Sequence, residues 1–139
     1  MSLYDRMLNI NNLNIDEEIK MAISSVKNQL DGLTFERTCL VYASYIYNEL
    51  KDRHLNVNFM STEDIPDAYI HYFNIVNSSI GKYLIDLNYK QFNNDEYPDL
   101  LDNGYQLVNE DEFNHYLEIV SQKKKLDSFF NDTPNNLGR

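Results

Sequence analysis

Apolar residues at Ile15, Ile19, Ala22, Ile23, Val26 and Leu30 recur every three or four positions, the spacing of one helix face. Asn14 precedes them with Glu17 three residues on, the form of a capping box, so the pattern predicts a helix from about Asn14 to Leu30, stopped by Asp31-Gly32. Ahead of it, Leu8, Ile10 and Leu13 alternate with asparagines, which fits a short strand or an irregular lead-in. A second stripe of Cys39, Ala43, Ile46 and Leu50, with Leu40 and Tyr47 beside it, predicts a helix of about four turns that frays near Lys51-Asp52-Arg53-His54. Thr34 or Thr38 is available as its cap.

From Leu55 the period shortens to two. Leu55, Val57 and Phe59 alternate with polar residues as a strand, and the polar run Ser61 to Asp67, with Pro66, reads as a loop. The β-rich runs Ala68 to Val76 and Lys82 to Leu87 flank an Asn/Ser/Gly cluster and predict a hairpin. With a four-residue loop from Asn77 to Ile80, Val76 pairs with Gly81 and cross-strand partners have numbers summing to 157. His71 and Asp86 satisfy that sum, which would set their Cβ atoms about 5 Å apart on one face of the sheet. A slip of one residue would place them on opposite faces.

The acidic, turn-rich segment from Asn93 to Asn103 predicts a loop over one end of the sheet, and Gly104 to Val108 a last strand. Asn109 with Glu112 forms another capping box. Phe113, Tyr116, Leu117 and Val120 give the helix that follows an apolar face, and Lys123, Lys124 and Lys125 suit its C-terminal end. From Asp127 onward, Pro134 and the Asn, Asp and Gly content predict a mobile tail. The resulting expectation is an α+β protein with one domain over residues 1–126 and a flexible tail over 127–139.

Composition narrows the classes of function. A chain of 139 residues is expected to bury about two-thirds of its unfolded surface in one core. Eleven tyrosines and seven phenylalanines with no tryptophan leave aromatic packing to Tyr and Phe. A net charge of −10 argues against nucleic acid, because neutralising phosphates needs clustered Lys and Arg; a basic peptide or protein suits that field better. One cysteine excludes an intramolecular disulfide and a multi-thiolate metal site, and fits a reducing compartment; no cofactor or metal is expected. The N-terminus lacks a basic region followed by an apolar run, and no stretch of eighteen apolar residues occurs, so a cytoplasmic protein is expected, or one exported without such a signal.

The single cysteine therefore carries weight. Cys39 opens its predicted helix, where the partial positive charge of the N-terminus favours thiolate. His71 follows thirty-two residues later and Asp86 fifteen after that, an ordering of nucleophile, base and orienting carboxylate that acyl transfer requires. His54 falls in a charged turn and His115 on the polar side of the last helix, so neither competes as the base.

Arg37-Thr38-Cys39-Leu40 ahead of a helix, His71-Tyr72-Phe73 on a strand and Asp86 ending the next resemble the papain-like superfamily in its transglutaminase-like branch, small bacterial members above all. The resemblance covers roughly Phe35 to Phe92 and includes an aromatic two residues after the histidine, here Phe73. It implies a nucleophile helix packed on a small antiparallel sheet, and a Cys39-His71-Asp86 triad acting on an amide of a peptide or protein, as in cysteine proteases, glutamine deamidases and transglutaminases. Thr38 and Gln91 are candidates for the oxyanion site or for a supporting role, beside backbone amides of the loop from Leu33 to Thr38. The competing reading is a catalytically inert module of the same fold that binds a peptide or protein. Thioester-dependent acetyl transfer shares the Cys-His-Asp set, but the Arg-Gly-Gly-x-Cys lead-in of the arylamine acetyltransferases is absent.

Overall fold

The computed structural model describes residues 3–34, 38–92 and 94–131, with side chains over 15–34, 38–92 and 94–121. Among these residues the chain is α+β: four α-helices and one four-stranded antiparallel sheet. The helices are α1 (Leu3–Gln29), α2 (Cys39–Asp52), α3 (Pro98–Asp102) and α4 (Glu110–Asn131). The strands are β1 (Val57–Ser61), β2 (Tyr72–Ser78), β3 (Gly81–Ile85) and β4 (Tyr105–Val108), ordered β1-β2-β3-β4 as a meander. A 3₁₀ turn at Tyr89–Phe92 follows β3.

The two faces of the sheet carry different halves of the core. Val76, Tyr83, Ile85 and Tyr105 meet the α1 stripe and the α2 residues Tyr42, Ile46 and Leu50 on one side. Phe73, Ile75, Leu84 and Val108 meet Phe113, Tyr116 and Val120 of α4, with Tyr89, Tyr97 and Leu100, on the other. Side-chain alternation along each strand produces this division. All six apolar positions expected for the first helix are buried. On α2 the stripe turns slightly: Tyr42 joins Ala43, Ile46 and Leu50 in the core, whereas Leu40 is half exposed and Cys39 half-buried.

Several expectations need correction. The N-terminal lead-in is helical from Leu3, so Asn14 lies inside α1 rather than capping it; the helix continued through residues 3–13 outweighs a local cap signal. The segment expected as a loop before β4 contains α3, which starts on Pro98, a residue whose fixed φ suits the first helical turn. The last helix runs through Asn131, so residues 127–131 are helical; 132–139 lie outside the described residues.

The hairpin is tighter than expected. Ser78 pairs with Gly81 across a two-residue turn, so partners sum to 159. The Ser78 hydroxyl donates to the Gly81 carbonyl at 2.8 Å and accepts the Ile80 N–H at 3.3 Å, and Gly81 takes φ +141°, so the turn closes two residues early. A shift of two preserves the faces. His71 and Asp86, one residue beyond the ends of β2 and β3, therefore stay on the α4 side of the sheet as diagonal rather than direct neighbours.

Candidate active site

Three separate local devices bring Cys39, His71 and Asp86 together. Cys39 is the first residue of α2, and Thr38 before it makes no side-chain cap; its hydroxyl instead donates to the Thr34 carbonyl at 2.5 Å. No acidic residue lies in the first turn of α2, so the positive end of the helix is not neutralised from within. His71 enters from the loop before β2, where Thr62 clamps its backbone. The Thr62 hydroxyl accepts the His71 N–H at 2.8 Å, and the Thr62 N–H donates to the His71 carbonyl at 3.1 Å. Asp86 follows the last residue of β3, and its N–H donates to the Gly104 carbonyl at 2.9 Å.

His71 Nε2 lies 2.8 Å from Asp86 Oδ2, with both residues almost fully buried. This is the contact expected from the sequence, reached through the diagonal register. Oδ2 also accepts the Tyr116 hydroxyl at 2.6 Å, and Oδ1 accepts the Asn88 N–H at 2.9 Å. Asn88 reaches across with its amide nitrogen to Thr38 Oγ1 at 3.2 Å, which ties the aspartate turn to the residue ahead of the cysteine. Phe92 sets its edge against the His71 ring at 4.9 Å between centroids, and Phe73 stacks on it at 6.2 Å.

Burial alone would raise the Cys39 thiol, but the neighbouring His71 ring, the Tyr72 backbone and the His71 charge outweigh it and hold Cys39 below its ordinary value. Burial likewise opposes the charged imidazole, yet the Asp86 charge and hydrogen bond, joined by Cys39, push His71 up to about 9. The two directions together favour a thiolate–imidazolium pair at neutral pH, a state suited to nucleophilic attack on a carbonyl.

The supporting candidates occupy different places. The Gln91 amide nitrogen lies 3.3 Å from His71 Nδ1, beside the ring nitrogen that remains once Nε2 faces Asp86. It can donate to Nδ1 only while that nitrogen is unprotonated. Thr38 acts as a tether between the 34–38 segment and Asn88. The loop amides of residues 35–37, and Arg37 with them, lie outside the described residues. His115 is exposed and pairs with Glu96 and Glu118, and His54 sits in a turn at φ +63°, both apart from Cys39.

Sequence reading missed Tyr116, Thr62 and the Tyr72 backbone, and placed Asn88 only within a cleft-lining segment by resemblance. Tyr116 belongs to an apolar helical stripe and carries no sign that its hydroxyl meets a carboxylate thirty residues upstream. Thr62 lies in a polar loop like any other threonine. Asn88, two residues after Asp86, had a local signal in that Asp and Asn side chains brace the backbone two positions on.

Among the described residues no group of three or more His, Cys, Asp or Glu side chains stands where it could hold a metal ion. No helix among them is long and apolar enough to cross a membrane. The chain matches no family model, no curated protein and no solved structure.

Proposed function

We propose that this chain is a thiol-dependent acyl-transfer enzyme of papain-like or transglutaminase-like type, acting on an amide of a peptide or protein. The observation that carries the reading is the buried His71–Asp86 contact at 2.8 Å, with a half-buried thiol at a helix N-terminus that the imidazole holds below its ordinary pKa. Cys39 thiolate attacks the amide carbon and forms the C–S bond. The C–N bond breaks as His71 Nδ1 gives its proton to the departing amine. Water or an amine then attacks the thioester, His71 takes the proton of that nucleophile, and the C–S bond breaks to restore Cys39. Asp86 keeps the Nε2–H tautomer oriented throughout. Gln91 and the α2 N-terminal amides supply donors for the oxyanion. The net charge of −10 favours a basic substrate.

A measurement follows directly. The protein is incubated with dimethylcasein in the presence and absence of putrescine, while released ammonia, amine incorporation and new N-termini are followed; Cys39→Ala and His71→Ala serve as controls. Ammonia alone identifies a deamidase, amine incorporation a transglutaminase and new N-termini a protease. Because casein is one substrate among many, the pH dependence of Cys39 alkylation by iodoacetamide is measured beside it. An inflection below the free-thiol value of about 8.5, moved up in His71→Ala, supports the ion pair. Labelling that proceeds only on unfolding overturns the enzyme reading.

One observation favours the inert binding module instead: the Gln91 amide lies against Nδ1, the nitrogen needed for Cys39, and the ring is only 1% exposed. Under that reading Gln91→Ala frees Nδ1 for Cys39 and speeds its alkylation, whereas in an enzyme whose imidazole already serves Cys39 the same change does not speed it.

A further inference from the structure

Asp86 accepts three hydrogen bonds, and one of the donors comes from a distant helix. Its carboxylate is buried and accepts His71 Nε2, the Asn88 N–H and the Tyr116 hydroxyl, two of the three on Oδ2. Tyr116 is itself fully buried within the aromatic half of the core, with Phe73 at 5.1 Å, Tyr89 at 5.9 Å and Phe113 at 6.4 Å between ring centroids. A phenylalanine would fill the same space without a phenol to satisfy. A buried O–H aimed at 2.6 Å onto the oxygen already used by the imidazole has a chemical consequence that packing alone does not require.

We infer that Tyr116 is a positioning residue for the acid–base pair: its hydroxyl shares Asp86 Oδ2 with His71, and so limits how strongly the carboxylate holds the imidazole proton. A carboxylate with three donors is a weaker base than one with two, because each donor stabilises the anion. Removing the phenol leaves Oδ2 to His71 alone, strengthens that bond and makes the pair retain its proton to higher pH. In the acyl-transfer cycle proposed above, on which this inference rests, an imidazole that holds its proton too tightly is a poorer acid toward the leaving amine and a poorer base toward water. Helix α4, expected from the sequence to present an apolar face, thereby tunes the site.

The groups that face this pair are known from each element around it. Cys39 comes from α2 and His71 from the residue just before β2. Tyr89 comes from the 3₁₀ turn, with Asp95 and Glu96 acting on it from the following loop. Tyr97 lies next to Tyr116 and is influenced by Glu96, Glu112 and Glu118. On β3, Lys82 lies over the Phe113 ring at 5.3 Å. Tyr97 is the natural control, since its hydroxyl donates to the Glu112 carbonyl at 2.7 Å and it shares the same aromatic cluster.

The test is a nitrogen NMR titration of the full chain labelled in its three histidines, with His71 assigned by its loss in His71→Gln. In Tyr116→Phe the protonation midpoint of His71 is expected to rise by about half a pH unit or more, and in Tyr97→Phe to stay at the wild-type value. An unmoved midpoint in Tyr116→Phe overturns the inference. Should that variant not fold, 3-fluorotyrosine placed at position 116 keeps the hydroxyl and makes it a stronger donor. The midpoint then falls if the inference holds and is unchanged if it fails. No substrate enters this measurement, so absence of amide turnover, which would count against the proposed enzyme, leaves it readable.

Discussion

Replacing Asp86 by Asn keeps the shape of the side chain and removes its charge, which makes it the sharpest perturbation of the site. His71 is raised from an ordinary value of 6.5 to about 9 even though burial opposes its charged form. At 1.36 kcal/mol per pH unit, that rise corresponds to roughly 3 kcal/mol favouring imidazolium in the folded protein. Asp86 is the largest favourable source of it, so Asp86→Asn is expected to return His71 to its ordinary range or below, neutral at pH 7.5. Cys39 then loses the imidazolium that offsets its own burial, and its alkylation inflection climbs past the free-thiol value of about 8.5. Below an inflection, each unit of upward displacement lowers the thiolate fraction tenfold, so the iodoacetamide rate at pH 7.5 should fall about tenfold or more. The assay is alkylation followed by mass spectrometry across pH, with circular dichroism to show that the variant is folded. A folded Asp86→Asn protein that keeps the wild-type inflection would refute the reasoning, because the charge of Asp86 would not be what sustains the pair.

Further outcomes follow from the same geometry. His71 has a raised pKa, so its contribution to stability is fully present below 6.5 and lost as pH rises through about 9. The Cys39 contribution, from a lowered pKa, is lost as pH falls; the two offset each other in the wild type. Urea denaturation should therefore show a flatter stability between pH 7 and about 9 in the wild type than in Cys39→Ala, where the His71 part stands alone and stability declines with pH. Thr62→Val preserves volume but removes the hydroxyl that accepts the buried His71 N–H at 2.8 Å and donates to the Tyr69 carbonyl at 2.5 Å. It is expected to cost about 1–3 kcal/mol by denaturant melt and to slow Cys39 alkylation by displacing His71. Gly104→Ala should cost about 2 kcal/mol or more, because Gly104 has φ +85° and a Cβ there would stand 2.2 Å from Leu87 Cδ2. Gly32→Ala, with φ +92° and open space around it, should show only the smaller backbone strain of about 1 kcal/mol in the same melts.

Local rules in the sequence determined much of this molecule. The stripes of α1 and α2 could be read because a buried face imposes a period of 3.6, and the capping box at Asn109 and Glu112 forms as expected, at 2.8 and 3.0 Å. The strands were visible through period-two alternation, and with them the shared face of His71 and Asp86. That face survived a turn two residues shorter than expected, since parity and not register decides it. The triad could thus be proposed from order, spacing and parity alone.

Tertiary structure decided the rest. The helicity of residues 3–13 and the short α3 had no strong local signal. The hairpin register depended on one serine hydroxyl closing its turn, a choice among near-equal loops that composition does not settle. The groups that complete the site come from far along the chain: Thr62 nine residues before His71, Asn88 reaching Thr38 across fifty, and Tyr116 reaching Asp86 across thirty. A tyrosine on an apolar stripe looks the same in sequence whether its hydroxyl meets solvent, a carbonyl or a buried carboxylate. Periodicity reports which face is buried, but a hydrogen bond between distant elements depends on how those faces meet, and only the folded packing of α4 against the end of the sheet fixes that.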